Sequence, residues 1–293
     1  MNRNEYIAET ERIQRKYEVK YFRLIRNAIK AEVTAVTNAI QSGGIAAGRR
    51  VINNTLTSGI APVIQQMYLE VGLRFARKQH RLLIAQLKRS KKGFGYNDEW
   101  VKFLQTFLMK FFIEKITFEV SENLRNSMLE VLDKGITEGW GIDKIVNAMA
   151  DVPLARYRIA RIVRTEITRA ANTGAMAAGS TFEYEQQKEW ISANDHRTRG
   201  TNPKDHANHV ALDGTTINYD DLFTDPRNGD KLRYPGDPGG NGIPPTQAGS
   251  VINCRCNIAI TAKVDNNGRL IPRRQSTAVV FPSQQPQRTV ITI

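Results

Sequence analysis

The feature that most restricts the fold is an uninterrupted helical periodicity over residues 5–41. Apolar residues recur there at helical spacing, with lysines and arginines at the outward positions. This pattern predicts an amphipathic helix with a basic outer face. The sequence SGGIAAG at 42–48 is expected to end the helix, because clustered glycines disfavour it. The apolar positions that define the buried face are Ile13, Tyr17, Tyr21, Leu24, Ile25, Ala28 and Ile29.

More long helices are predicted downstream. Pro62 is well placed to begin one of them, and Asn97 or Asp98 can cap another whose apolar stripe is wide. Helices of this length in a chain of 293 residues predict an elongated bundle. After Pro153 comes a helix rich in alanine and glycine, whose small residues should let a neighbouring element approach closely.

From Lys188 the sequence changes character. KEWISA is a candidate strand, a long loop rich in glycine and proline follows, and VINCRCNIAITAKV alternates like a strand. The predicted fold class is therefore α+β. We expect an elongated, mainly helical region at 1–138, a small α+β domain with a short antiparallel sheet and long loops at 139–264, and an extended or disordered tail at 265–293.

The charge and the cysteine content limit the classes of function. The chain has a formal net charge of +13, which favours work beside a polyanion such as DNA or beside an acidic protein surface. Its two cysteines are too few for a disulfide framework. The sequence shows no apolar signal region and no uncharged apolar run of the roughly 18–20 residues that span a bilayer. We therefore expect no membrane span, and synthesis in a reducing cytoplasm.

Both cysteines lie in SVINCRC, at Cys254 and Cys256. We predict a core strand here, on which these two residues face the same side and Arg255 the other. Two cysteines supply half of a tetrahedral zinc site, and the remaining ligands would come from nearby histidines or from an aspartate. The favoured interpretation is instead two small buried side chains in a reduced protein. A disulfide across this spacing would be strained. The residues that could complete a metal site are Asp195, His196, His206 and His209.

The sequences DHRTRG and DHANHVALDG leave a second alternative open, a metal-dependent nuclease that uses those same four residues. Such a site needs a histidine to activate water and a second ligand for the metal. However, a loop rich in glycine and proline occupies the place of the helix that such nucleases use. We favour an architectural role, in which Asp195 and Arg197 hold loops and Glu166 pairs with Arg161 or Arg169.

Three segments, ARIVRTEITRAANTGAMAAG, WISANDHRTRGTNPKDHANHVALDG and PGDPGGNGIPPTQAGSVINCRC, occur in this order. As an ordered set they resemble the phage Mu F-like minor head proteins, also called head morphogenesis proteins. The resemblance covers about residues 139–262. The insert GTNPKDHAN lengthens the interval before the family's histidine, and HVALDG favours His209 for that position. The positions that carry the resemblance are Arg164, Thr165, Glu166, Ala170, Asn172, Gly174, Trp190, Asp195, Arg197, Thr198, His209, Leu212, Asp213, Gly214, Asn253, Cys254, Arg255 and Cys256.

The resemblance implies a structural component of a tailed-phage virion, without enzymatic activity, that is required for head assembly or for DNA packaging and delivery. It implies a location inside the head near the portal, reached from the host cytoplasm during assembly. The expected partners are the portal protein, with scaffold and major capsid proteins as further candidates, and packaged double-stranded DNA contacted without sequence specificity. No cofactor is expected unless zinc binds Cys254, Cys256 and His209.

Overall fold

The computed structural model of the protein describes residues 3–55, 59–87, 96–106, 114–150, 156–240 and 242–273. It confirms the α+β class, with long helices first and short antiparallel sheets after them. Within the described residues, no helix combines the length and the apolar character needed to cross a membrane. The first six helices are α1 Arg3–Thr55, α2 Ile60–Gln86, α3 Asn97–Leu104, α4 Glu114–Thr137, α5 Ile142–Ala150 and α6 Arg156–Ser180. The remaining elements are β1 Gln186–Ile191, α7 His209–Leu212, β2 Thr216–Asn218, β3 Phe223–Thr224, β4 Lys231–Leu232, α8 Ala248–Val251 and β5 Asn257–Ala262.

The predicted break in SGGIAAG lies at Gly44, where α1 kinks and then continues to Thr55. Gly44 has φ 72° and ψ −174°, a conformation that glycine adopts readily and other residues rarely do. The straight part of α1 before the kink is about 60 Å long, at 1.5 Å per residue. Pro62 lies in the first turn of α2, where a proline costs no hydrogen bond. The predicted tail lies largely outside the described residues.

Helix α6 is central and contacts α1, α2 and α3. Its closest approach is to α2 at Gly174. A Cβ atom on Gly174 would lie 2.1 Å from the carbonyl oxygen of Gly72. This confirms the close approach that the alanine- and glycine-rich sequence predicts.

The main sheet has three antiparallel strands in the order β2-β1-β5, and β3 pairs with β4 separately. In the main sheet, Lys188 of β1 stands opposite both Ile217 of β2 and Ile260 of β5. One continuous group of buried apolar side chains extends from Ile13 in α1 to Ile260 in β5. The hydrophobic core therefore shows no gap at the predicted boundary between 138 and 139, and the division into domains stays a prediction.

Side chains from the helices cover the outer edge of β5. Tyr6 Oη donates a hydrogen bond to the Ile258 carbonyl (2.6 Å). Gln79 bonds both backbone groups of Ile260: its Nε2 donates to the carbonyl (2.6 Å), and its Oε1 accepts from the N–H (3.4 Å). The helices thus occupy hydrogen-bonding groups that an edge strand would otherwise expose.

Candidate functional site

The SVINCRC sequence is not a strand, which corrects the prediction. Its first residues complete α8, and β5 begins only at Asn257. Asn253 interrupts an extended path because its φ is +60°, in the left-handed region that asparagine tolerates. Two contacts with α6 hold it there: the Asn253 N–H donates to Thr165 Oγ1 (2.7 Å), and Asn253 Oδ1 accepts from Arg164 Nη1 (2.9 Å).

Cys254 and Cys256 nevertheless point inward together, onto His209. The three residues are between 1% and 3% exposed, and both sulfur atoms lie 3.6 Å from His209 Nδ1. All three donor atoms lie within 4.8 Å of one another. In the part of the chain that the structure describes, this is the only group of three or more histidine, cysteine or acidic side chains placed to share one metal ion. The two cysteines are free thiols.

The surroundings of the His209 ring leave one of its nitrogens facing a carboxylate. The ring packs edge-on against Trp190, with centroids 5.1 Å apart, and Trp190 packs on Phe223 in the same way. His209 Nε2 lies 4.0 Å from Asp225 Oδ2 and has no hydrogen-bond partner among the described residues. Asp225 is itself fully buried and is fixed by the backbone N–H groups of Asn208 (2.8 Å) and Arg227 (2.9 Å).

The two thiols differ in acidity. A hydrogen bond from the Cys256 thiol and the nearby His209 ring lower the pKa of Cys254 well below its ordinary value, against the effect of burial. The same hydrogen bond, together with burial, raises the pKa of Cys256. The backbone N–H of Cys256 also donates to Cys254 Sγ (3.4 Å). Cys254 is therefore the more acidic thiol of the pair, and a thiol binds metals as the thiolate.

Glu166 forms the predicted ion pair with Arg169, and not with the exposed Arg161. Arg169 Nη1 lies 2.6 Å from Glu166 Oε2, and both side chains are buried. Tyr68 of α2 also donates a hydrogen bond to Glu166, and Arg169 Nε donates to the Gly236 carbonyl (3.0 Å). The pair therefore connects α6 both to α2 and to the glycine- and proline-rich loop.

Asn172 joins α6 to the segment that carries the cysteines. Its Nδ2 donates to the carbonyls of Pro235 (2.8 Å) and Cys256 (3.1 Å), and its Oδ1 accepts from the Ile258 N–H (3.0 Å). All hydrogen-bonding groups of its amide except one lone pair are used, and the side chain is buried. Asn172 therefore has a structural role.

Asp195 binds Arg255 and does not join the cysteines, contrary to expectation. The two side chains form a two-pronged ion pair with distances of 2.7 and 2.5 Å. Hydrogen bonds from Arg255 and from the Arg197 N–H lower the pKa of Asp195. The side chain of Arg197 is exposed and lies 3.7 Å from the carboxylate. Asp195 thus secures the loops, as the architectural interpretation predicts.

The nuclease alternative requires Asp195, His196, His206 and His209 to converge. His196 and His206 are exposed, whereas His209 is buried among the cysteines. No metal-ligand group formed by these four residues occurs in the described residues. The structure therefore gives this alternative no geometric support.

The LDG turn is held by two distant parts of the chain, the start of α1 and the residue after β1. Asp213 accepts hydrogen bonds from the Ser192 N–H (2.8 Å) and from Arg3 at the start of α1 (2.5 Å). Gly214 follows with φ +76°. The turn therefore connects β1 to the first helix.

A buried ion pair in the loop rich in glycine and proline was not predicted from the sequence. Arg233 and Asp237 form two hydrogen bonds (2.8 and 2.7 Å), and both are nearly inaccessible to solvent. The available signal is an arginine and an aspartate four residues apart around a Pro-Gly turn. No local pattern predicted a role for Asp225 either, because only the folded chain brings it close to His209.

Residues 126–259 match the family model described as phage Mu protein F like protein. This part of the chain, a little under half of its length, is similar to the Mu F-like family. The match contains every motif position from Arg164 to Cys256, so it confirms the resemblance. The match supports a bacteriophage head morphogenesis protein, located in the virion and assembling with other virion proteins. No curated protein and no solved structure matches the chain significantly.

Proposed function

We propose that this protein is a structural, non-enzymatic minor head protein that associates with the portal inside the head and contacts packaged DNA without reading its sequence. The observation that carries the proposal is the use of the Mu F-like motif residues. Glu166, Asn172 and Asp195 are all bound to other parts of the same chain. Motif residues used in this way support an assembly role, because they build a scaffold and leave partner contacts to the surface.

A row of cations on α1 supports the contact with DNA. We name it the α1 basic stripe. At 100° per residue its members fall within an arc of about 100°, and they extend over about 27 Å of helix. No acidic residue falls within this arc between the two ends of the stripe. All members are exposed, and none forms a salt bridge with a described residue: Arg12, Arg15, Lys16, Arg23, Arg26 and Lys30.

Such a stripe is suited to a phosphate backbone, since binding there depends on charge and not on base identity. Val19 lies within the same arc and is 60% exposed. The long helices also offer amphipathic surface for helix-in-groove contacts with a ring of portal subunits. Both contacts would use the helical region and leave the Mu F-like segment as the rigid support.

Binding to duplex DNA of arbitrary sequence, measured across a salt series, tests the DNA contact. Changing Arg12, Lys16, Arg23 and Arg26 to glutamine should flatten the dependence of log K on log salt by up to about 3.6, since each neutralised phosphate contributes about 0.9. The control variant changes four exposed cations elsewhere and removes the same net charge: Lys134, Lys144, Lys204 and Lys231. Equal losses in the two variants would contradict a role for the stripe.

Quantitative mass spectrometry of full and empty heads tests the place in the virion. A few copies per particle in both fractions, cross-linked to the portal through α1 or α2, support the proposal. Absence from particles would overturn it. DNA cleavage that requires a divalent metal and is lost in His209→Ala would instead favour the nuclease alternative.

A further inference from the structure

We propose that His209, Cys254 and Cys256 form a zinc site within the Mu F-like segment. This proposal is independent of the portal and DNA contacts, because it rests on three side chains buried inside this chain. Two cysteines and one histidine supply three of the four ligands of a tetrahedral zinc ion, and the fourth position is left to a water or another small ligand.

The spacing of the three donor atoms fits zinc. With Zn–S bonds near 2.3 Å and Zn–N bonds near 2.0 Å, tetrahedral angles place sulfur and nitrogen about 3.5 Å apart. Both distances from His209 Nδ1 to the sulfur atoms of Cys254 and Cys256 are 3.6 Å. These two sulfur–nitrogen distances therefore match a tetrahedral zinc site, and the two sulfur atoms lie within 4.8 Å of each other.

The outer contacts of the ligands also suit a metal. When Nδ1 of His209 binds zinc, the ring proton is fixed on Nε2, which lies 4.0 Å from Asp225 Oδ2. A carboxylate beyond the ligating histidine is the usual partner of such a proton. The Cys256 N–H already donates a hydrogen bond to Cys254 Sγ, and such a bond would stabilise that sulfur as a thiolate ligand. His209 Nε2, which has no hydrogen-bond partner among the described residues, would then carry the proton and face the Asp225 carboxylate.

Charge balance favours a metal in this apolar position. Two thiolates bound to one Zn²⁺ are neutral overall, so the complex can be buried at lower cost than an isolated thiolate. Thiolate and imidazole ligands together select zinc over magnesium or calcium, which prefer oxygen. Trp190 covers the histidine ring and is itself fully buried.

A zinc ion would connect two parts of the chain that regular structure holds only weakly. His209 begins the four-residue helix α7, and the cysteines lie on the irregular segment before β5. The strands between them, β2, β3 and β4, have only two or three residues each. A region with so little regular structure gains most from a metal that closes its loops.

Metal analysis of the purified full-length chain, with zinc supplied during expression, tests the proposal. We expect one zinc per chain. Replacing zinc with cobalt(II) should produce thiolate-to-metal charge-transfer bands and the visible bands of a tetrahedral site. Cys254→Ser should lose the metal. His206→Gln is the control, because this exposed histidine lies only three residues before the ligand histidine but outside the site, and it should keep the metal.

The cobalt spectrum of the wild-type chain decides the question even if Cys254→Ser does not fold. Wild-type protein that contains no zinc and shows no cobalt–thiolate band would overturn the proposal. An intact mass lower by two hydrogens would overturn it as well, since it would show a disulfide between Cys254 and Cys256. Either negative result leaves the assignment as a head protein unaffected.

Discussion

The contact between α2 and α6 makes Gly174→Ala a sensitive test of the fold. In an unstrained helix interior, alanine is about 1 kcal/mol more favourable than glycine. Here the new Cβ would lie 2.1 Å from the Gly72 carbonyl oxygen and 2.9 Å from its Cα. Backbone atoms cannot rotate away as a flexible side chain can, so the two helices must separate.

Overpacking of this kind costs about 1–3 kcal/mol and occasionally more. Separation of the helices also strains the buried hydrogen bond between Tyr68 and Glu166, which crosses the same contact. We therefore expect Gly174→Ala to lower the free energy of unfolding by about 2–4 kcal/mol, despite its higher helix propensity. Urea unfolding followed by far-ultraviolet circular dichroism measures the change.

Gly141→Ala is the matched control, because a Cβ there would meet nothing within 4 Å. It should change stability by no more than about 0.5 kcal/mol. If Gly174→Ala proved as stable as the wild type, or more stable, α2 and α6 would not approach as described. An equal loss in both variants would show that glycine at these positions matters for some reason other than the contact.

Two further predictions concern buried polar side chains in the sheet or in contact with it. Burial lowers the pKa of Lys188 to about 7 from 10.5, so between these values only the unfolded chain keeps the proton and stability rises with pH. Lys188→Met should therefore be more stable than the wild type below pH 7. Above pH 7 its advantage in the free energy of unfolding should shrink by up to about 1.4 kcal/mol per pH unit. The same pH dependence of this free energy in both proteins would contradict the prediction. Gln79→Leu leaves the N–H and the carbonyl of Ile260 without their hydrogen-bond partner. It should lower the free energy of unfolding by about 2–3 kcal/mol. Hydrogen exchange at the Ile260 amide should accelerate, and unchanged protection would refute the contact.

Periodicity predicted the helical part of the fold well. The apolar stripe of α1, its interruption near Gly44 and the close approach at Gly174 all follow from local sequence, because helix geometry repeats every few residues. The pairing of Glu166 with Arg169 follows from the same spacing. The other partner of Glu166, Tyr68, is 98 residues away along the chain and belongs to another helix, so no local pattern could indicate it.

The residues of the candidate metal site were predictable from the sequence, but the backbone conformation that brings them together was not. Two cysteines separated by one residue suggested a shared direction, and HVALDG suggested His209. The prediction of a strand was wrong because contacts with α6 stabilise a left-handed conformation at Asn253, and alternation of residue types carries no information about such contacts. The expectation that Asp195 joins the cysteines was wrong for a related reason, because its actual partner, Arg255, is 60 residues away along the chain.

The covered edge of β5 bears on how many copies of this protein can be crowded together. Gln79 and Tyr6 occupy its outward backbone groups, and Gln86 accepts from the Ala262 N–H as well (2.9 Å). The opposite edge, β2, has only three residues. An exposed strand edge is a template on which identical chains add to one another without limit. Because this sheet offers little such template, copies brought together in a confined space should not add to one another through the sheet. Any association between them would use helical surfaces.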